Sequence, residues 1–268
     1  MQEGGLRYVT AKENDNLSFW DHLDELRSAL IKIICAGLLC GIVAFIFKDI
    51  LFDFILAPSK SSFITYRLFN KIGALTGTNI EDFSVSMINT LLAQQFIIHM
   101  KTAFIVGLLC ASPYILYLIL TFIAPALYKT NRQLVFRVVC CGYFMFMIGM
   151  ALSYLLIFPL TFRFLATYQV SCDVANMISL ESYISTLAGM CLMMGIVFEL
   201  PLLCWAVAKV GFLESAFMRY YRKHAIVIIL IIAALITPTS DIFTLALVSG
   251  PMWLLYEISI LIVAKTNK

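Results

Sequence analysis

The chain has 268 residues, of which 62% are hydrophobic and only 13% are charged, and its formal net charge is +3. This composition is typical of an integral membrane protein and excludes a soluble domain built on a large core. The small positive charge gives no support for nucleic-acid binding. Most of the eight cysteines lie in apolar runs and the three histidines are scattered, so no disulfide framework, metal site or cofactor is predicted. The first residues do not show the pattern of a cleaved signal peptide, so removal of a leader is not expected.

The first element predicted is an amphipathic helix over residues 18–28. Leu23, Leu26 and Leu30 recur at helical spacing on one face, and the charged residues Asp24, Glu25 and Arg27 lie elsewhere around the helix. We expect this helix to lie at the membrane interface and to run into the first span, predicted over residues 29–47.

The next region carries charges too closely spaced for a membrane span. Within it, residues 63–75 predict a surface helix, which a turn signal separates from the following segment. Residues 83–100 lack acidic and basic side chains but contain many polar ones. They are interpreted as a second surface helix that leads into the next span.

A short polar break connects the second and third spans, which are predicted over residues 102–125 and 138–160. Pro125 has no N–H group and disfavours helical geometry in the residue before it, so the second helix should kink or end here. Lys129 and Arg132 make the break basic, and this bias predicts that it lies in the cytoplasm.

The fourth span is predicted over residues 183–208 and contains one carboxylate, Glu199. A charge within an apolar run is costly unless it faces water, a partner or the protein interior. Two interpretations stay open, a functional carboxylate and a structural carboxyl that is protonated or hydrogen-bonded. Pro201 follows closely and frees backbone carbonyl groups nearby.

The fifth span, residues 224–237, is predicted to be shorter than the hydrocarbon core of the bilayer. The sixth span, residues 242–264, is predicted to be interrupted and short. Asp241 lies in the turn between them and suits the N-cap of the sixth helix. Glu257 lies within the sixth run and is a second intramembrane carboxylate.

Charge bias predicts an all-α membrane protein of six helices with both termini in the cytoplasm. Of the 19 lysines and arginines, the cytoplasmic side of this topology receives 13, which are Arg7, Lys12, Arg27, Lys32, Lys129, Arg132, Arg137, Lys209, Arg219, Arg222, Lys223, Lys265 and Lys268.

Several stretches, in order over residues 18–264, resemble the TatC family, the multi-span subunit of the twin-arginine protein translocase. They are His22-Leu-Asp-Glu-Leu-Arg27, Leu56-Ala-Pro58, Phe122-Ile-Ala-Pro-Ala-Leu-Tyr-Lys129, Phe198-Glu-Leu-Pro201, Ile236-Thr-Pro238 with Asp241, and Pro251-Met252 with Glu257.

The resemblance implies a cupped fold of six helices whose fifth and sixth helices are short, and a receptor rather than an enzyme. Such a receptor binds the twin-arginine signal peptides of folded export substrates at its cytoplasmic face. It forms a hetero-oligomer with small single-span subunits of the TatA or TatB type in the bacterial inner membrane, where transport is driven by the proton gradient.

The resemblance also assigns roles to individual residues. Glu25 is expected to hold a signal-peptide arginine, with Arg27 nearby and Phe122 shaping the loop. Glu199 is expected to face a concave hollow that lipid or a partner fills, and Asp241 and Glu257 complete a set of intramembrane polar residues.

One position departs from the family pattern. Where the family commonly has a second glutamate in the first cytoplasmic loop, this chain has Asn131, which accepts hydrogen bonds but carries no charge. Asp21 or Asp24 is a possible compensating carboxylate. The region 63–83 also resembles an insertion of unassigned role.

Two competing functions belong to other classes. A proton-coupled secondary transporter of a small solute would use Glu199, Asp241 and Glu257 as a relay, although no internal repeat is evident. An intramembrane enzyme is the weakest interpretation, because no motif of a metalloprotease or serine hydrolase is found.

Overall fold

The computed structural model describes residues 19–76, 87–89, 91–127, 132–168, 176–237 and 241–266. These residues form helices joined by short turns, together with one pair of two-residue strands. The helices are α1 Phe19–Ile46, α2 Lys48–Leu56, α3 Ile64–Thr76, α4 Gln94–Leu127, α5 Arg132–Leu152, α6 Phe158–Thr167, α7 Leu180–Phe198, α8 Leu200–Lys209, α9 Ser215–Tyr220, α10 Arg222–Ile236 and α11 Ile242–Thr266.

The strands β1 (Met87–Ile88) and β2 (Ile178–Ser179) pair in parallel, with Met87 opposite Ile178. A π-helical turn, Ser153–Ile157, joins α5 to α6, so the third helix of the bundle is continuous from Arg132 to Thr167.

Within the described part of the chain, five helical segments are long and apolar enough to cross a membrane. They are Leu26–Ile46, Gln94–Ile119, Phe136–Thr167, Leu180–Lys209 and Ile242–Thr266. Helix α10, which lies where the fifth span is predicted, has only 15 residues. Its length is therefore about 22 Å, which is less than the roughly 30 Å of a hydrocarbon core.

Helix α1 packs antiparallel along α4 through glycine. A Cβ atom built on Gly107 would lie 2.4 Å from the backbone nitrogen of Gly41 and 2.6 Å from the carbonyl oxygen of Gly37. Gly41 lies opposite Ala103 and Phe104, whereas Gly37 lies opposite Leu108. Since no side chain separates the backbones, the two helices are held at a fixed antiparallel register.

The core of the bundle is built around α7 and α11. The side chains of Met190 and Met194 on α7, and of Val248 and Met252 on α11, are completely buried. Helix α5 packs against α7, and α8 packs against α11. Helix α1 is peripheral by comparison, with much of its apolar surface exposed.

Tyrosine hydroxyl groups tie the segments together at the end of the bundle where α2 and α6 lie. Tyr66 on α3 donates to the carbonyl oxygens of Pro58 (3.1 Å) and Pro159 (2.9 Å). Tyr183 on α7 donates to the carbonyl of Ile55 (2.9 Å). The carbonyl groups of Ile55 and Pro58 lie at or just after the C-terminal end of α2, where carbonyl groups lack an intrahelical donor, and the tyrosine hydroxyls satisfy them.

The predicted surface helix over residues 63–75 is confirmed as α3. The described part of residues 18–28 is the first turns of α1, so the predicted N-terminal helix runs into the first span as expected. No glycine or proline occurs in α1 before Gly37 to break the helix. That residues 18–28 lie at the membrane interface stays a prediction. The prediction that residues 83–100 form one helix is wrong, since β1 precedes the start of α4 at Gln94.

The prediction that the sixth helix is short is also wrong, because α11 is continuous over 25 residues. Pro251 lies inside it and removes a single hydrogen-bond donor. Proline is tolerated within membrane helices where packing and local adjustment satisfy the freed carbonyl. The second helix is predicted to kink or end near Pro125, and α4 extends to Leu127, two residues after that proline.

We expect Gly107→Ala to destabilise the packing of α1 against α4, because the new methyl group would overlap the backbone of Gly41. Forcing a methyl group into a tight contact costs about 1–3 kcal/mol. Thermal unfolding of the purified protein in detergent measures the effect. Gly189→Ala is the matched control, since nothing lies within 4 Å of its new Cβ atom. Equal stability of both variants and the parent chain would contradict the proposed contact.

Candidate functional site

The antiparallel register of α1 and α4 brings two of the predicted signal-peptide residues to the same level of the bundle. From Gly41 back to position 25 the rise along α1 is about 24 Å, and from Phe104 forward to position 122 the rise along α4 is about 27 Å. Because these two helices pack side by side, both positions lie near the same end of the bundle.

The same end of the bundle carries the start of α5 at Arg132, since α4 ends only a few residues earlier, at Leu127. Asp24 and Arg27 are exposed there, on the first turns of α1. The side chains of Glu25 and Phe122 lie outside the described part of the structure, as does the whole of Asn131. The predicted roles of these three residues therefore stay predictions.

Glu199 lies at a break between α7 and α8. Its backbone N–H donates to the carbonyl of Ile196 (3.1 Å), a tighter turn than that of an α-helix. Pro201 follows and removes a donor at the point where the helix is interrupted. The candidate span Leu180–Lys209 therefore consists of two helical segments joined at a carboxylate.

The side chain of Glu199 is directed at α5. It is only 9% exposed, and a Cβ atom on Gly142 would lie 3.1 Å from its Oε2 atom. Oε1 is buried and has no hydrogen-bond partner among the described residues. Gly142 thus provides the space for the carboxylate group, and any larger residue there would press on it.

Asp241 caps α11, as the sequence predicts. The backbone N–H of Thr244 donates to Asp241 Oδ2 (2.8 Å), and the N–H of Leu245 donates to the Asp241 carbonyl (3.0 Å). The Thr244 hydroxyl contacts the same carboxylate. A side-chain acceptor for the third helical N–H is the usual geometry of an N-cap.

Glu257 forms an ion pair with Arg222 at the start of α10, with Arg222 Nη2 at 2.7 Å from Glu257 Oε2. The neighbouring Tyr256 hydroxyl donates to the carbonyl of Met218 on α9 (2.8 Å). These two contacts hold the segment around α9 and the start of α10 against the C-terminal half of α11.

The three intramembrane carboxylates do not converge. Asp241 and Glu257 are separated by 16 residues of one helix, which is about 24 Å. Glu199 lies on another helix, against α5. A proton relay needs groups within hydrogen-bonding reach of one another or of a water chain, so this arrangement gives no support to the solute-carrier interpretation.

An apolar cavity of about 510 Å³ lies between α2, α4, α5 and α7, and no local pattern in the sequence predicts it. Thr102, Tyr143, Met147, Tyr154 and Leu187 are among the residues that line it, and Glu199 is not. Four separate segments form its wall, so no single stretch of sequence could reveal it. The hydroxyl of Thr102 is buried and has no partner among the described residues.

These features define a class. Within its described residues the chain is a helical membrane protein with several candidate spans. The model of the family described as Sec-independent protein translocase protein (TatC) matches residues 21–251. The chain belongs to the TatC family, and this membership assigns it to protein translocation.

Individual relatives and structures agree with this assignment. The TatC protein of Blattabacterium sp. subsp. Periplaneta americana is 35% identical, with 93% of this chain and 96% of that protein covered. The TatC protein of Helicobacter pylori strain 26695 is 33% identical, with coverage of 92% and 87%. A crystal structure of a twin-arginine translocase receptor, TatC, is 30% identical with a TM-score of 0.73, and covers 92% of this chain and 100% of its own.

We expect the Arg222–Glu257 pair to contribute modestly to stability, since both side chains are partly exposed. Solvent screening limits pairs of this kind to about 1 kcal/mol or less. A double-mutant cycle with Arg222→Gln and Glu257→Gln, followed by thermal unfolding in detergent, measures the coupling energy. A coupling energy of zero would mean that the two side chains do not interact in solution.

Proposed function

We propose that this chain is the signal-peptide receptor of a twin-arginine export system in a bacterial inner membrane. It binds the twin-arginine signal peptides of folded proteins at the cytoplasmic end of α1 and of the α4–α5 connection. The chain then assembles with small single-span subunits, and the proton gradient drives transport of the folded substrate.

The observation that supports this proposal is the register of α1 against α4. A signal peptide must be held between residues that are far apart in sequence, and the glycine contact fixes their helices relative to each other. Positions 25 and 122 then lie at the same end of the bundle. The exposure of Asp24 and Arg27 on the same turns leaves this surface open to a ligand.

The chemistry of the site suits an arginine pair. A guanidinium group presents a planar fork of N–H donors that a carboxylate meets with two parallel hydrogen bonds, and lysine cannot reproduce this geometry. Glu25 is the proposed partner of one arginine. Asp24 lies on the neighbouring position of α1 and would add negative potential, whereas Arg27 limits the net charge of the surface.

Asn131 takes the place where the family commonly has a second carboxylate. We propose that its amide oxygen accepts a hydrogen bond from the second arginine, so that recognition of the pair rests on one charge at Glu25 and a neutral acceptor. Charge-assisted hydrogen bonds are roughly twice as strong as neutral ones, so Glu25 would dominate the binding free energy.

The proposed docking surface for the single-span subunits is the outward face of α10. Val227, Ile228, Ile231 and Leu235 are exposed along this short helix, while Ile229 and Ala233 face the bundle. An apolar helix in lipid offers a partner helix no hydrophobic gain, so association there would depend on close packing of the two helices.

Site-specific photo-crosslinking tests the receptor proposal. Benzoylphenylalanine at position 24, 122 or 131 is expected to crosslink to a twin-arginine signal peptide in membranes that contain the full translocase. Crosslinking should fall with a double-lysine signal, and should fall about tenfold to a hundredfold with Glu25→Gln, because a charged hydrogen bond is worth about 1.5–3 kcal/mol.

The matched control is Glu214→Gln, which removes an exposed carboxylate from the loop between α8 and α9 at the same end of the bundle. It should leave crosslinking unchanged. Equal crosslinking to arginine and lysine signals, in the parent chain and in Glu25→Gln alike, would contradict the proposed recognition.

A further inference from the structure

Helix α3 has two distinct faces. Thr65 and Tyr66 are buried against the bundle, and they bond to the carbonyl oxygens of Leu155 and Pro159 on the third helix. The opposite side of the helix carries Ile64, Arg67, Leu68 and Lys71, all exposed. Their spacing of three, four and seven residues places these four side chains on one stripe, which is called here the α3 outer face.

The depth of α3 in the membrane follows from the third helix. Arg137 is the last charge before a long uncharged run on that helix, and 20 residues further on, a rise of about 30 Å, the helix reaches Ile157. Helix α3 is bonded to Leu155 and Pro159, on either side of that level. It therefore lies at the boundary between hydrocarbon and headgroups.

Two neighbouring helices place the boundary at the same height. Lys101 on α4 and Glu181 on α7 are the first charges at this end of their helices, and they face each other with 3.9 Å between Lys101 Nζ and Glu181 Oε1. On the third helix the first charge is Arg163, whose guanidinium lies over the ring of Tyr66 at 6.0 Å from its centroid.

Aromatic rings surround the buried side of α3 at this level. Phe63 packs against Tyr66 and Tyr154, with ring centroids 6.4 and 5.7 Å apart, and Tyr154 stacks on Phe54 at 4.6 Å. Aromatic side chains of this kind concentrate at membrane–water interfaces. Burial raises the pKa of Tyr66, so its phenol stays protonated and continues to donate to the helix carbonyls.

We propose that the α3 outer face binds the phospholipid headgroup layer of the leaflet at this end of the bundle. Ile64 and Leu68, which are 65% and 56% exposed, insert between the upper acyl carbons, and Arg67 and Lys71 contact the phosphates of anionic lipids. Neither cation forms an ion pair with any residue that the structure describes.

The charge pattern favours lipid over water as the occupant of this face. Two large apolar side chains exposed side by side are unfavourable in water, whereas long basic side chains next to them can extend their charged ends to phosphates while their stems remain in the apolar layer. The α3 outer face thus anchors to the membrane a segment that lies outside the long helices.

Photo-crosslinking to lipid tests this inference in the full chain. The purified protein carries benzoylphenylalanine at position 64, 68 or 69 and is reconstituted in vesicles of phosphatidylcholine, with or without phosphatidylglycerol. Mass spectrometry then identifies the adducts. We expect phospholipid adducts at positions 64 and 68 and few at position 69, because Phe69 lies toward the bundle on the other side of the helix.

The contribution of charge is measured with Arg67→Gln/Lys71→Gln. Phosphatidylglycerol adducts at position 68 should fall about fivefold, since each basic residue near an anionic surface adds favourable free energy. Arg219→Gln/Lys223→Gln removes the same two charges from the opposite end of the bundle and should have no effect.

Several outcomes would overturn the proposal. Absence of lipid adducts at positions 64 and 68 would show that the face lies in water, and protein adducts there would show that a second chain covers it. Equal adducts at positions 64, 68 and 69 would mean that α3 presents no preferred face. An unchanged yield of phosphatidylglycerol adducts after the loss of both cations would refute the headgroup contact.

Discussion

The backbone contact between α1 and α4 is the constraint on which the candidate site depends. Gly37, Gly41 and Gly107 allow the two helices to touch without intervening side chains, and a contact of this kind permits very little sliding. The register of the first turns of α1 relative to the end of α4 follows from it. A receptor surface shared by these two segments is therefore defined about 24 Å away from the glycines that set its geometry.

The other end of the bundle is organised by hydrogen bonds to helix carbonyls. Tyr66 donates to the carbonyl groups of Pro58, just after the end of α2, and of Pro159 within the third helix. Tyr183 does the same for Ile55. Because unsatisfied carbonyls are costly at the edge of a bilayer, these bonds tie short, irregular segments to the long helices and give α3 its fixed depth.

Three carboxylates with similar positions in apolar sequence have different roles in the structure, and their neighbours explain why. Asp241 accepts hydrogen bonds at a helix N-terminus, and Glu257 pairs with an arginine on an adjacent helix. Glu199 has neither, and lies against Gly142 at a helix break with a buried oxygen that has no partner among the described residues. Of the three, Glu199 is the one whose burial is not offset by a partner among the described residues.

The sequence by itself determined the class of the protein, the approximate positions of its spans, the surface helix α3, the cap at Asp241 and the short α10, because hydropathy, charge and capping are local properties. Local patterns could not determine whether Pro251 interrupts α11, or that a strand, β1, rather than a helix precedes α4. Those outcomes depend on what packs against each segment. The tertiary structure alone decided the pairing of Glu257 with Arg222, the close fit of Glu199 to Gly142 and the cavity between four segments, because each requires residues that are distant in sequence to meet.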